Sequence, residues 1–324
     1  MGHRAPANHY TKQHKMIDTE TFTPLCSSPE ANPTMAPNPK HLILNLLLAA
    51  DHNTLSSREA VGSCKLFGIR ENNVRVALVR LSASGLVEAA SRGSYRLGPK
   101  AEALAKDIAQ WRTAEQRVCD WQGHWLVVSA GGLSRSDRVA LRARERALAM
   151  SGFQLLDSHL YVRPDNLMGS AEQARSRLYQ LGLDANAPVF SAQGLDTARE
   201  QAARQLWSGA QLSQRYRQTR QQLQAWLEKA DQLDLETAAR ECFLLGNEAI
   251  RQLVYDPLLP EPLVDVSERR AFTEAVRHYD DVGRGIWQRL LHQLSHGPAL
   301  APLPHDTDPL DHPPPTGPTS VLRH

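Results

Sequence analysis

Fourteen of the twenty prolines fall in residues 1–39 and 298–324, and the 258 residues between them hold only six. Proline lacks an amide N–H and breaks helix and sheet interiors. The middle of the chain is therefore open to long regular elements, and its two ends are not. This predicts a disordered Pro-rich arm over 1–38, a folded body, and a disordered Pro/His-rich tail over 297–324. The first helical pattern starts right after Pro39, and Met35 sits four residues before it. Residues 1–34 are thus expected to be a flexible arm or upstream sequence translated from too early a start.

Apolar residues make up 41% of the chain, which excludes a wholly disordered protein. The longest apolar run, Leu42 to Ala50, is interrupted by Asn45 and falls far short of a membrane span of about 20 residues. The N-terminus lacks the apolar stretch of a secretory signal. Cys26, Cys64, Cys119 and Cys242 form no close pair, so neither a disulfide framework nor a zinc site is indicated, and a cytoplasmic setting fits. No metal ligand set and no cofactor is expected.

Net charge is only +2, but it is unevenly spread. Residues 40–117 hold 12 Lys/Arg against 7 Asp/Glu, and within 65–100 the count is 7 against 2. A cationic patch on a small domain is the footprint of phosphate binding; a solvated basic surface is the bland alternative.

The same segment carries a recognisable order of elements. PKHLILNLLLAA (39–50) predicts a first helix. Ser56 and Glu59 have capping-box spacing before a second helix that should end at Gly68. A third runs from about Arg70 to Ser84 and stops at Gly85. Within it Val74, Ala77, Leu78 and Leu81 form one buried stripe. Asn72, Arg75, Val76, Val79 and Ala83 fall on the opposite face, with Arg80 on a flank. A groove-reading helix can use an exposed apolar contact to a thymine methyl. LVEAAS, the turn Arg92-Gly93-Ser94 and YRL predict a hairpin. Three helices and a basic-tipped hairpin make a winged helix-turn-helix over 39–98. Asn72 and Arg75 are the expected base readers. Asn73 and Arg80 are expected near phosphates or the groove edge, Val76 lies beside the readers, and Arg92, Ser94 and Arg96 are expected at the backbone or minor groove.

A linker helix is expected over 99–120, with Leu104, Ile108 and Trp111 on one side. Strand WLVVSA (125–130), helix Arg135–Met150, two strands around Asp157-Ser158, helix Glu172–Leu181 and strand PVFSA (188–192) follow. This βαββαβ order predicts a ferredoxin-like domain over 121–195. Arginines 135, 138, 142, 144 and 146 read as a solvated helix face. From 196 to 296 the pattern is helical, in three runs: Leu212 to Leu233, Ala239 to Leu253, and Phe272 to Leu290. The fold class is α+β and multidomain.

Four segments in order carry a family resemblance: NVRVALVRLSASGLVE (73–88) with YRLGPKAEAL (95–104), WQGHWLVV (121–128), LRARERALAMSGFQLLDSHLYVRPDNL (141–167) and LLGNEAIRQLVYDPLLPEPLV (244–264). Over roughly 40–290 the chain resembles the PaaX-like phenylacetic acid degradation repressors. The resemblance implies a winged helix, a Cas2-like ferredoxin fold and a helical C-terminal domain. It also implies a homodimer on near-palindromic double-stranded operator DNA, released by an aryl-acetyl coenzyme A thioester such as phenylacetyl-CoA. Where the family tends to carry a Trp-Pro-Gly turn, this chain reads Asp265-Val266-Ser267-Glu268.

Such an effector needs cations for its phosphates and an apolar slot for its acyl part. Trp121, Trp125, Arg135, Arg138 and Arg240 are candidates of those types. Two other functions compete. A Cas2-like metal-dependent nuclease needs a carboxylate at the end of the first strand; that strand ends Val128-Ser129-Ala130, and Asp120 lies before it, so no enzyme is expected. The third reading is a scaffold with non-specific DNA affinity.

Overall fold

The computed structural model describes residues 37–50, 54–102, 109–134 and 136–296. The expectations for 1–36, for Leu104, Ile108 and Arg135, and for 297–324 lie outside them.

Helix α1 (Pro39–Ala49) has Pro39 in its first turn and is capped by the Asn38 side chain, which accepts from the Lys40 amide. Proline is harmless there because the first amides of a helix have no internal acceptor. Helix α2 (Ser57–Lys65) opens with the expected capping box: Glu59 N–H donates to Ser56 Oγ at 3.1 Å, and Ser56 N–H donates to Glu59 Oε2 at 2.7 Å. Helix α3 (Glu71–Ala83) buries Val74, Ala77, Leu78 and Leu81, as their spacing requires, and the chain reverses at Gly85 with φ of +72°. Strands β2 (Val87–Ser91) and β3 (Ser94–Leu97) form the expected hairpin. A third strand, β1 (Thr54–Ser56), pairs antiparallel with β3 and is not legible in the sequence, being three residues long.

The link that follows differs from a continuous helix. Gln110–Arg117 is a 3-10 helix, burying Trp111 and Ala114. A spacing of three brings two side chains onto one side of a 3-10 helix, whose repeat is about three residues.

Strand β4 (Trp125–Ser129), helix α4 (Arg138–Met150), strands β5 (Gln154–Asp157) and β6 (Leu160–Pro164), helix α5 (Ala171–Leu181) and strand β7 (Val189–Ala192) follow in βαββαβ succession. The sheet order is β5-β6-β4-β7, antiparallel throughout. Helix α4 starts three residues later than expected because Asp137 caps it, accepting from the Val139 and Ala140 amides. Leu126 and Val128 join the cluster under α4 and α5, while Trp125 and Val127 join the larger core. Both faces of β4 are covered, which is why its sequence is an unbroken apolar run.

The solvated-face reading of the α4 arginines needs one correction. Arg144 is 3% exposed, with Nε on Asp184 Oδ2 at 2.8 Å and Nη2 on the Ser134 carbonyl.

Helices α6 (Thr197–Arg204), α7 (Gly209–Leu227), α8 (Leu235–Val254) and α9 (Val266–His296) complete the described chain. The first apolar run ends sooner than expected, since Ala230 and Leu233 lie beyond α7. Helix α9 has 31 residues and spans about 46 Å at 1.5 Å per residue. Aromatic pairs fix its neighbours: Tyr216 on Phe272 at 5.6 Å and Trp226 on Tyr279 at 5.1 Å.

The C-terminal end of α9 reaches α2. Ser295 Oγ donates to Glu59 Oε1 at 2.6 Å, and Leu294 fills the space left by the missing side chain of Gly62. Phe67, just past α2, meets Phe243 of α8 at 5.3 Å. One apolar core therefore joins α1, α2 and α3 to α7, α8 and α9, apart from the smaller cluster under α4 and α5. At the opposite end of α9, fully buried Arg269 donates to Glu115 Oε1 at 2.7 Å and to the Leu259 carbonyl.

Candidate functional site

The outward face of α3 is open. Asn72, Asn73, Arg75 and Arg80 are exposed, and Val76 and Val79 keep 48% and 68% of their surface in solvent. Two exposed β-branched residues on one helix face are what the buried stripe opposite them predicted.

Arg75 is not idle there. Its Nε and Nη2 donate to Glu71 Oε1 at 2.9 and 2.5 Å, four residues earlier. Both side chains are more than half exposed, so the pair is weak and exchangeable. Glu71 also lies in the first turn, where a negative charge suits the helix dipole.

The hairpin carries the other candidates beside α3. Gly93 turns it with φ of +76°, and its carbonyl accepts from Ser57 N–H at 2.8 Å, which ties the turn to α2. Arg92 is exposed at the turn; Ser94 is half-buried opposite Ser56. Arg96 donates to Glu88 Oε1 at 2.7 Å from the facing strand. Lys100, which sequence reasoning passed over, donates to the Ser84 carbonyl at 3.0 Å and closes the end of α3.

Of the five effector candidates, Trp121 and Trp125 meet each other, and neither forms a charged pocket with Arg138 or Arg240. Trp125 is wholly buried, with Nε1 on Glu200 Oε2 at 2.8 Å and its ring stacked on Trp207. Trp121 packs edge-on against it, under the guanidinium of Arg204. Arg138 and Arg240 are exposed on α4 and α8, and Arg135 lies outside the described residues. The residues that do share a cavity are others. A space of about 330 Å³ is lined by Trp111, Leu126, Phe153, Arg117, Arg163 and Arg177, among others. Their signal was invisible because they come from five separate stretches of chain.

Chemistry needing a nucleophile finds little support in the thiols described as buried. Burial pushes both Cys64 and Cys242 up to about 12. Among the described residues no three His, Cys, Asp or Glu side chains gather as metal ligands. Strand β4 ends at Ser129 without a carboxylate, and Asp120 stays exposed ahead of it. No helix among the described residues is long and apolar enough to cross a membrane.

A mixed α+β chain with a long helical C-terminal part is the class these elements define. Residues 207–289, essentially α7 through α9, match the model for the PaaX-like protein C-terminal domain. The transcriptional repressor PaaX of Escherichia coli (strain K12) is 28% identical over 210 residues, covering 61% of this chain and 64% of that protein. The two findings agree that the chain is similar to PaaX-like proteins, in its C-terminal part by the domain model and more widely by sequence. The alignment spans slightly less than two thirds of the repressor's own length. Among solved structures, the uncharacterized protein Rv0674 from Mycobacterium tuberculosis is similar over 76% of this chain and 99% of that one, at 22% identity and a TM-score of 0.49.

Proposed function

We propose that this chain is a DNA-binding transcriptional repressor that responds to a small-molecule effector. Residues 39–98 are read as a winged helix, 121–195 as a Cas2-like ferredoxin domain and 196–296 as a helical domain. The observation that carries the reading is the open face of α3, where Asn72, Arg75, Val76 and Val79 stand clear of the core. A helix of this kind enters the major groove, where Arg reads guanine and Asn reads adenine. The similarity to a protein named a transcriptional repressor supports it. So does the basic excess of 40–117.

In this reading Arg75 leaves Glu71 for a base edge, and Arg92 and Arg96 take phosphates. A homodimer on a near-palindromic operator follows from the resemblance, as do control of an aromatic-acid (phenylacetate-type) catabolic operon, release by an acyl-CoA thioester and a cytoplasmic location. Release would be a population shift, which needs an effector with different affinities for the two arrangements.

The test is a mobility-shift titration of DNA from upstream of the protein's own gene. Arg75→Ala is expected to cost roughly 1–3 kcal/mol and to relax preference at one base position. Unchanged affinity together with unchanged sequence preference overturns the assignment of α3.

A further inference from the structure

The last turn of α9 reads His292-Gln293-Leu294-Ser295-His296. Two of these side chains serve α2: Leu294 lies over Gly62, and Ser295 Oγ donates to Glu59 Oε1. His292 and His296 are exposed instead, and residues four apart share one side of a helix. Their rings stack, with centroids 4.3 Å apart and planes within 25° of parallel. Two histidines at this spacing are how helical zinc motifs present two nitrogens to one ion. The expectation of no metal ligand set passed over this pair; the stacking of the rings is what singles it out.

One ring is fixed in the orientation that ligation needs. His296 Nδ1 lies 2.9 Å from the His292 carbonyl oxygen. A carbonyl can only accept, so Nδ1 carries the hydrogen, and in the neutral ring Nε2 keeps its lone pair. Metal-binding imidazoles are held in this way, with the other ring nitrogen donating to a carbonyl or carboxylate.

The surroundings select the ion. Residues 289–296 contain no Asp or Glu, and Arg289 lies one turn before His292. Glu59, which meets this turn from α2, is taken by Ser295 and by the Ser56 amide. Mg²⁺ and Ca²⁺ want carboxylate and carbonyl oxygens, whereas imidazole suits Zn²⁺, Ni²⁺ and Cu²⁺. The carbonyl end of a helix also favours a cation. Among the described residues no third His, Cys, Asp or Glu joins the pair, so water completes the coordination. Gln293 stands where a hydrolytic zinc motif carries its glutamate base, so the site holds an ion and offers no base beside it.

We propose that His292 and His296 chelate a divalent transition cation, of the class of Zn²⁺, Ni²⁺ and Cu²⁺, and that the bound ion pins the last turn of α9 on α2. An ion held at both ends of one helical turn closes that turn, and this turn carries both contacts to α2. A ligand that binds only the folded form stabilises it. The site is separate from the open face of α3 and does not rest on the regulator reading.

The experiment is a calorimetric titration of the full chain, stripped with EDTA, with Zn²⁺, Ni²⁺ and Mg²⁺, paired with hydrogen exchange read by mass spectrometry. His292→Ala, His296→Ala and Gln293→Ala are compared with the parent. All three positions are exposed, and circular dichroism checks each fold. The other 11 of the 13 histidines are the same in all four proteins, so a difference reports the pair. The parent and Gln293→Ala are expected to bind Zn²⁺ and Ni²⁺ at least tenfold more tightly than Mg²⁺. Losing an outer partner of a metal ligand costs about 10- to 100-fold, so losing a ligand should weaken Zn²⁺ binding at least tenfold in each histidine variant. Zn²⁺ should slow exchange in residues 292–296 and 57–65 of the parent and of Gln293→Ala alone. Zn²⁺ affinity unchanged in both histidine variants, Mg²⁺ binding as tight as Zn²⁺, or no Zn²⁺ binding to the parent overturns the site. Zn²⁺ binding that the histidine variants lose, without slower exchange at 57–65 in the parent, supports the site and overturns the pinning of α9 on α2.

Discussion

Arg144 shares its helix with Arg138, Arg142 and Arg146, but it alone leaves solvent, for a carboxylate forty residues away. A helical wheel cannot foresee that, since periodicity describes one element and the partner is on another. Asp184→Ala would strand this buried charge. Breaking such a pair costs roughly 3–5 kcal/mol, and the partial exposure of Asp184 favours the lower end. A fall in the urea midpoint measured by near-UV circular dichroism is the expected result. Asp256 makes a second residue-scale prediction. Burial raises its carboxyl above the ordinary aspartate range, outweighing the opposing pull of Tyr216 and Arg269. A carboxyl raised by folding holds its proton more tightly in the native state. Its contribution to stability is thus greatest in acid and is lost as pH rises from about 3.9 through the raised value. Urea titrations of the parent and Asp256→Asn from pH 4 to 7 should show the parent losing stability relative to the variant as pH rises. The base-reading candidates were legible because exposure follows from the stripe on the far side of α3. Arg163 and its cavity were not, because nothing near Arg163 in sequence marks it as buried.

At the scale of elements, legibility followed signal length. Helix α3, with its buried stripe and closing glycine, forms within a residue of expectation at each end, whereas α2 opens at its capping box but stops at Lys65, three residues short of Gly68. Strand β1 has three residues and no room for alternation to show; its existence depends on β3 lying beside it. The 3-10 helix was read as part of a longer helix because Leu104, Ile108 and Trp111 keep an α-helical spacing, while the buried pair Trp111 and Ala114 has the spacing of three that suits the tighter helix. Close approach between elements is equally hidden. At Gly209, where α7 begins, a Cβ would lie 1.9 Å from the Leu263 carbonyl oxygen, which is backbone and cannot swing aside. Gly209→Ala is expected to lower the melting temperature sharply in differential scanning fluorimetry. Ala210→Ser, one residue on at an exposed position, should leave it nearly unchanged.

For the whole molecule, the continuous core means that the N-terminal helices with their hairpin and the C-terminal helices are not beads on a string. Leu294 supplies apolar volume to α2 by entering the space above Gly62. Leu294→Ala should cost about 2–4 kcal/mol at that seam. Hydrogen exchange read by mass spectrometry should then quicken in residues 57–65 and much less in β4 and β6. The boundaries expected at 98, 120 and 195 followed composition and turn signals, whereas this seam joins residues more than 230 positions apart. Helix α9 touches Glu115 and Leu259 near one end and Glu59 near the other. It is a strut fastened at both ends rather than a spoke fastened at one, and a change that loosens either fastening is carried by a single element across about 46 Å.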